Sequence, residues 1–455
     1  MTGHTEPHAQ GRGAAHGHRT VQEHRARLAE LLAPLAQRPA EERSLDAALG
    51  AALAADLVAP VSLPPFDNSQ MDGFAVRSAD FRGDVGARGG DLGAKGGDLG
   101  AKGGDLGAKG GDLGATGGDL GREFTVVAAI AAGDVPAPLQ PGQAAPIMTG
   151  ALLPEGADAV VPIEWAVPSR FPEPGATVAL PAVEPGTYVR RAGSDVAAGA
   201  VVLPAGTPIG ARQVGLAAAL GFTALSVRAP LRVLVISTGA ELAPDGEPLG
   251  PGQIYDANGW LLSSALREDG LEAENAVSRS DDPASLRHEL AEAARAAEEG
   301  RLDLVITTGG VSKGAFEATK LALDEHDVEF SHLAMQPGGP QGLGSFEGLP
   351  VVAFPGNPVS CWISWEVLLR PVLAEVVGAP RCRRRLTARL AAPLDSPHGK
   401  LQVRRASLRQ DGSVALVGGP GSHLLGALAV SDALVLVPED VTDLAAGADV
   451  EVWLT

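Results

Sequence analysis

Cysteine is almost absent: Cys361 and Cys382 are the only two in 455 residues. Two thiols exclude a disulfide framework and a four-thiolate zinc site. They fit a reducing, cytoplasmic setting. No run of eighteen apolar residues occurs, so no membrane span is expected. Positive charge is also short, with 36 Lys and Arg against 55 Asp and Glu and a formal charge of −19. A general nucleic-acid or anionic-membrane surface needs clustered Lys and Arg, so the balance argues against both. The first twenty residues, MTGHTEPHAQGRGAAHGHRT, lack an apolar core and do not read as a signal peptide. No GxxxxGK[ST] and no GxSxG occurs, which argues against a Walker loop and a hydrolase elbow.

What remains is a globular composition of 45% hydrophobic and 20% charged residues in 46.2 kDa. At ~150 residues per domain the length suggests about three domains. His4, His8, His16 and His18 lie where no hydrophobic pattern would fix ligands, so residues 1–20 read as a disordered polar tail. Residues 22–37 alternate at helical spacing and predict an amphipathic helix. Ser44 reads as the N-cap of a second helix over 45–57. Residues 83–121 repeat the unit GGDLGAK and hold 17 of the 59 glycines. Three Gly per unit make a helix costly, so a disordered or loosely turned insertion is expected. A small calcium-binding β-roll is the alternative, since Gly-Asp repeats build such folds. Residues 124–230 read as β-rich with tight turns.

From 231 to 377 the pattern changes. RVLVIS, LDLVITT and PVVAF are short apolar runs of the buried parallel type. Helical patterns lie between them at 258–269, 283–299 and 315–325, and a last one runs from Asn357-Pro358 to Gly378. This predicts an α/β domain with a mostly parallel sheet. After the basic run at 381–385, alternating strands to 455 predict a small β domain. Ligands of open α/β sheets bind beyond the carboxyl ends of strands. Three such ends carry Gly- and hydroxyl-rich loops, at Ser237-Thr238-Gly239, at 307–314 and at Pro355-Gly356-Asn357-Pro358-Val359-Ser360. Gly permits close backbone approach and hydroxyls add donors, so a phosphate or oxyanion ligand is expected.

These residues carry a resemblance. Asp67-Asn68-Ser69-Gln70-Met71-Asp72-Gly73-Phe74-Ala75-Val76 resembles the DNSAMDGYAV signature of MoeA-type molybdopterin molybdenumtransferases, a family that includes the gephyrin E domain. IMTGALLPEGADAVVPIE, VRRAGSDVAAGAVVLPAGT, ISTGAEL, GQIYDAN, TTGGVSKG, MQPGGP and FPGNPVS follow in the family's order. The resemblance runs from about residue 22 to the C-terminus, without the repeat. It implies an α/β plus β, multidomain, elongated subunit that forms a homodimer. Its parts would be a linking and dimerisation domain at 21–64 and 165–206, and a β-rich domain at 65–164 carrying the 83–121 insertion. A three-layer α/β molybdopterin-binding domain would span 207–378 and a small β barrel-like domain 379–455. Members insert molybdenum from molybdate into adenylylated molybdopterin and release AMP, assisted by Mg2+, in a cleft shared between subunits. Other molybdenum cofactor biosynthesis proteins are implied as further partners.

By the same resemblance, Asp67, Asp72, Glu317 and Lys320 are the catalytic candidates, and Asp67, Asp72 and Glu317 the metal ligands. Asn68, Thr149, Ser237, Thr238, Gly239, Asp256, Asn258, Thr308, Gly309, Gly310 and Ser312 match substrate-binding positions, Asn258 also being a candidate helix cap. Pro337, Gly338, Asn357, Ser360, Arg405 and Ser422 match the remainder, with Ser360, Arg405 and Ser422 near the oxyanion. The departures are informative. Gly339 stands where most relatives carry Lys, Ala240 and Ala315 replace acidic residues, and Pro146 replaces an Arg. A tungsten-specific enzyme and a non-catalytic molybdopterin-binding scaffold are therefore alternatives. An enzyme of the adenylylating step, which would share the α/β domain, is a further one, against which the long β-rich N-terminal region and the C-terminal β domain count.

Overall fold

The computed structural model describes residues 19–82, 121–311, 318–378 and 382–455. The histidine-rich tail, nearly all of the Gly-Asp-Leu repeat and its calcium reading, Ser312 and Glu317 lie outside the described residues. The chain divides into two compact units. One holds Leu57–Val202 with Ala219–Gly221. The other holds the chain up to Asp56, Leu203–Ala218 and Phe222–Thr455.

The first unit is built on a five-stranded sheet in the order Ala159–Pro162, Gly73–Val76, Gln143–Ile147, Arg122–Val126, Thr177–Leu180. Only Gln143–Ile147 and Arg122–Val126 pair in parallel. Phe74, Val76, Phe124, Val126, Val161, Val178 and Leu180 fill its core. Asn68–Ser69 forms a separate short pair with Val189–Arg190.

The second unit opens with helix α1, Val21–Leu32. Thr20 and Glu23 form a reciprocal capping box, with Glu23 N donating to Thr20 Oγ1 over 3.1 Å and Thr20 N to Glu23 Oε2 over 2.8 Å. Val21, His24, Leu28 and Leu32 recur at helical spacing on the buried face. The predicted helix over 22–37 stops early because Pro34 has no N–H to continue the ladder, and a 3-10 turn follows at Ala33–Ala36. The helix expected over 45–57 does not form. Gly50 takes a φ of +86° against Gly270, and Gly50 N and Leu53 N donate to Ile209 O and Thr207 O. Backbone pairing with a distant segment thus overrides the helix propensity of Ala and Leu. Conversely, α2, Ala211–Ala219, forms inside the stretch read as β-rich.

Next comes a six-stranded sheet of β1 Arg232–Thr238, β2 Glu272–Ser278, β3 Leu304–Thr308, β4 Asp327–His332, β5 Pro340–Phe346 and β6 Leu349–Phe354. Its order is β2-β1-β3-β6-β5-β4. The first four strands are parallel, and β5 and β4 add an antiparallel edge. Helices α3 Asn258–Glu268, α4 Pro283–Glu298, α5 Ala318–Leu323 and α6, starting at Pro358–Ile363, follow the strands. Val235, Ile306, Val352 and Phe354 pack with Leu262 and Leu266 of α3. Ile236, Val305 and Val351 pack with Leu286 and Leu290 of α4. Alternate side chains therefore feed two cores, which makes three layers. The last helix continues through a π-helical turn at Ser364–Leu369 into Arg370–Val376.

The C-terminal region is a closed five-stranded barrel of β7 Arg385–Leu390, β8 Leu401–Leu408, β9 Ser413–Leu416, β10 Ala433–Val437 and β11 Asp449–Leu454. The ring runs β7-β9-β8-β10-β11 and closes through the β11–β7 pair. Closure leaves no edge within the ring.

Candidate functional site

Three parallel strands end side by side, and their loops enclose a cavity of about 450 Å³. Its wall includes Ser237, Thr238, Gly239, Asp256, Asn258, Thr308, Gly309, Gly310 and Asn357, all expected from the sequence. Glycine sets the spacing of the loops. Gly309 and Gly310 have φ of +96° and +64°. A Cβ on Gly309 would meet Thr238 O at 2.6 Å, and one on Gly310 would meet Thr319 Oγ1 at 2.6 Å. Any larger residue would separate the loops.

The hydroxyls face inward rather than toward a ligand. Ser237 Oγ donates to Asp256 Oδ1 over 2.8 Å, and Thr238 Oγ1 donates to Thr308 O over 3.1 Å. Asn258 Nδ2 donates to Gly356 O over 2.8 Å and to Thr308 Oγ1 over 3.3 Å. Asn258 therefore stitches two loops together instead of capping α3. The cap-like contact belongs to Asp256, whose Oδ1 accepts from Gly259 N over 3.0 Å. Two acceptors in this wall remain unused: Asp256 Oδ2 and Asn258 Oδ1 are buried without a hydrogen-bond partner. A buried unpaired acceptor is costly unless something donates to it or coordinates it.

Glu241 and Asp281 also line the cavity. Sequence reasoning missed Asp281, although it follows the end of β2 and the strand-end rule applies there as well. Thr319, whose Oγ1 donates to Gly309 O over 2.9 Å, was missed too. Among the described residues, the wall contains no Lys or Arg. Lys320 is not in it; its Nζ lies 5.9 Å from the centre of the Phe330 ring.

A second cluster surrounds the turn at Pro337-Gly338. Gln341 Nε2 donates to Gly338 O over 2.7 Å and to Ser364 Oγ over 2.6 Å. Ser364 Oγ donates to Ser360 O over 2.8 Å. Val359 N donates to Ser422 O over 3.1 Å, and Arg405 Nη1 to Gly421 O over 3.2 Å. The structure thus links Pro337, Gly338, Ser360, Arg405 and Ser422, which lie up to 85 positions apart in the chain. Arg405 is only 2% exposed, and its Nε has no acceptor. Burial, with Arg404 beside it, pushes this guanidinium below its ordinary pKa.

The other unit holds Asp67, Asn68, Asp72 and Thr149. Asp72 Oδ1 accepts from both Thr149 N and Thr149 Oγ1, each over 2.7 Å. The Thr149 hydroxyl and amide hold the Asp72 carboxyl below the usual range. Asp67 Oδ1 accepts from Ala192 N over 2.8 Å, and Asp67 Oδ2 pairs with Arg191 over 2.6 Å. The Ala192 amide, opposed by partial burial and helped by Arg191, lowers its pKa. Asn68 is buried, with Arg190 Nη1 donating to its Oδ1 over 3.4 Å. Among the described residues, no three His, Cys, Asp or Glu side chains form a metal-holding group by themselves. Cys361 is fully buried, and burial followed by the nearby Asp256 pushes its thiol up, so it is no nucleophile.

Glycine loops beyond a parallel sheet, a buried hydrogen-bonded cluster and a closed barrel define an α/β plus β protein with a ligand cavity at its strand ends. Comparison with known proteins sharpens this class. The chain matches the MoeA N-terminal region (domain I and II) over residues 19–221. It matches the probable molybdopterin binding domain over 234–375 and the MoeA C-terminal region (domain IV) over 387–455. Molybdopterin molybdenumtransferase 2 of Mycobacterium tuberculosis (strain ATCC 25618 / H37Rv) is 41% identical over 453 residues, covering 96% of this chain and 99% of that protein. Molybdopterin molybdenumtransferase of Haemophilus influenzae is 30% identical over 420 residues, covering 90% and 93%. The solved molybdopterin biosynthesis moeA protein of Pyrococcus horikoshii OT3 superposes with a TM-score of 0.73 at 25% identity, covering 96% and 100%. The chain belongs to the MoeA family.

Proposed function

We infer that this chain is a molybdopterin molybdenumtransferase, a transferase of molybdenum cofactor biosynthesis. It inserts molybdenum from molybdate into adenylylated molybdopterin and releases AMP and the molybdenum cofactor. One observation carries the reading: the first turn of α6 belongs to both constellations. Asn357 and Pro358 line the glycine-loop cavity, while Ser360 O is joined through Ser364 and Gln341 to the Gly338 turn. A phosphate-bearing pterin in the cavity and an oxyanion at the cluster would therefore sit on one helix turn.

The division of labour follows from the donors. The cavity offers backbone at Gly309 and Gly310 and the unused acceptor of Asn258, which suits the N–H groups of a pterin ring. Arg405, Ser360 and Ser422 hold molybdate, an oxyanion that needs donors. Metal insertion is ligand exchange and AMP release is anhydride cleavage. Neither needs a Ser or Cys nucleophile.

Mg2+ fits this chemistry. The cavity wall carries carboxylates and no described cation, so a polyphosphate there needs a cation to offset repulsion. Asp256, with a buried unpaired oxygen, and Glu241 are the carboxylates that would hold it, beside phosphate oxygens. Asp67 suits the role less, since both its oxygens already accept hydrogen bonds. A homodimer whose two copies share the cleft, a cytoplasmic setting and the five-part domain division given by the sequence complete the proposal. The described residues contain no helix long and apolar enough to cross a membrane.

The test is turnover. Purified protein receives adenylylated molybdopterin, Mg2+ and molybdate, and AMP and metallated cofactor are measured. AMP release that depends on molybdate is expected. Tight pterin binding without AMP release would refute the reading. Light scattering of the same sample tests the dimer.

A further inference from the structure

We propose that Arg404 is a second guanidinium of the oxyanion site, so that the barrel presents a pair of buried cations matched to a dianion. The proposal rests on the oxyanion reading of the Arg405 cluster given above and adds to it a residue that reading does not use. Arg404 and Arg405 are neighbours on β8. Successive side chains of a strand point to opposite faces. Both are nevertheless buried: Arg404 is 8% exposed and Arg405 2%.

The segment after β9 brings the two side chains together. Ala406 pairs with Leu416, and Val417 N donates to Arg405 O over 2.8 Å, so the chain leaves β9 alongside the arginines. Gly418 then turns with a φ of +68°. Its carbonyl accepts from Arg404 Nη2 over 3.3 Å, and a Cβ added to it would lie 3.9 Å from Arg405 Nη2. Both guanidinium groups therefore reach the same glycine. Arg405 also donates to Gly419 O and Gly421 O. The loop ends at Ser422, whose carbonyl accepts from Val359 N in the first turn of α6. The pair thus stands on the barrel side of the turn that borders the glycine-loop cavity.

The charge of the pair is uncompensated. Among the described residues, the acceptors that these two side chains reach are carbonyl oxygens of the loop, not carboxylates. Burial pushes both guanidinium groups below their ordinary pKa, and the charge of Arg404 adds to the effect on Arg405. Two cations that repel each other, out of water and without a counter-ion, are costly to hold. The loop carbonyls offset part of that cost, and an anion held by both offsets the rest. Arg405 Nε–H, buried without an acceptor, is a donor left over for it. Guanidinium forks suit the oxygens of an oxyanion. A tetrahedral dianion such as molybdate supplies both of the missing negative charges, whereas a monoanion supplies half.

Calorimetric titration of the full chain tests this by comparing molybdate with perrhenate, tetrahedral oxyanions that differ in carrying two negative charges and one. The wild type is expected to bind molybdate more tightly. Arg404→Gln keeps a donor for Gly418 O but removes the charge. It is expected to weaken molybdate binding on the order of tenfold, as for one lost hydrogen bond to a charged group, and to change perrhenate binding far less. Arg404→Lys, which keeps the charge, should keep the preference for the dianion. In AMP release at varied molybdate, Arg404→Gln should raise KM for molybdate more than it lowers kcat. Equal losses for the two anions would mean that Arg404 only supports the loop, and overturn the proposal. Unchanged molybdate affinity in Arg404→Gln, with Arg405→Ala losing it, also overturns the proposal and leaves the cluster reading intact. Absence of molybdate binding to the wild type, or unchanged affinity in Arg405→Ala, overturns the cluster reading itself. If Arg404→Gln does not fold, the wild type decides: equal affinity for the two anions overturns the paired-cation site.

Discussion

His24 should make folding of this protein sensitive to mild acid. It is fully buried on the inner face of α1, and neither ring nitrogen has a hydrogen-bond partner. Burial first, and the Arg19 charge second, lowers its pKa from 6.5 to about 3. The folded chain therefore keeps His24 neutral, while the unfolded chain protonates it below pH 6.5. Stability is fully present above that value and falls as pH drops toward 3. At pH 5 the unfolded chain holds about 1.5 decades of protonation advantage, or roughly 2 kcal/mol. His24→Leu removes this dependence. It also removes two unpaired polar atoms, so stability at pH 7.5 should rise by about 1–2 kcal/mol. The assay is urea unfolding of both proteins at pH 7.5 and pH 5. Asp269, whose carboxyl burial pushes up to about 6 despite Arg370, works in the opposite direction but is common to both proteins and cancels in their difference. Parallel losses in wild type and His24→Leu between the two pH values would refute a neutral buried His24.

Further outcomes follow from the site and its supports. Gly310→Ala forces a side chain onto Thr319 at a φ of +64°, and should cost about 1–2 kcal/mol and weaken pterin binding, measured by fluorescence titration. Asp303→Ala leaves Arg38 buried without its carboxylate, which now accepts over 2.7 and 3.0 Å, and should lower stability by about 3–5 kcal/mol in urea unfolding. Asp256→Asn keeps an acceptor for Ser237 and Gly259 but loses the unpaired carboxylate oxygen. It should leave the melting temperature within a few degrees of wild type and raise the Mg2+ concentration needed for half-maximal AMP release. An unchanged Mg2+ requirement would remove Asp256 from that role.

The α/β half of the chain was legible because its signals are local. Asp282 and Pro283 mark the start of α4, the Asp282 side chain accepts from Ala284 N, and helix α4 runs Pro283–Glu298. The three apolar runs became β1, β3 and β6 because strands buried on both faces need no alternation. Strand β2 escaped notice, since EAENAVS alternates polar and apolar residues at a sheet edge. The helix over 45–57 failed for the opposite reason: its composition is helical, but its amides pair with residues 207–209, which no local window contains. The site showed the same division. Glycine loops at strand ends were readable. The inward direction of Ser237 and Thr238 was not, because it depends on Asp256 and Thr308 arriving from other loops.

Charge is sorted across α6 in a way that a net charge of −19 conceals. On one side of the turn, Glu241, Asp256 and Asp281 face the cavity. On the other, Arg405 is buried with a free Nε–H. A polyphosphate entering the cavity meets carboxylates unless a cation accompanies it, whereas an oxyanion at the cluster meets donors directly. The two substrates are anions, yet the sites proposed for them demand opposite partners. Molybdate binding should therefore persist in the presence of a chelator, while binding of the adenylylated pterin should collapse. If chelation weakened both equally, the cation would belong to the oxyanion cluster and the assignment of Asp256 as its carboxylate would be wrong.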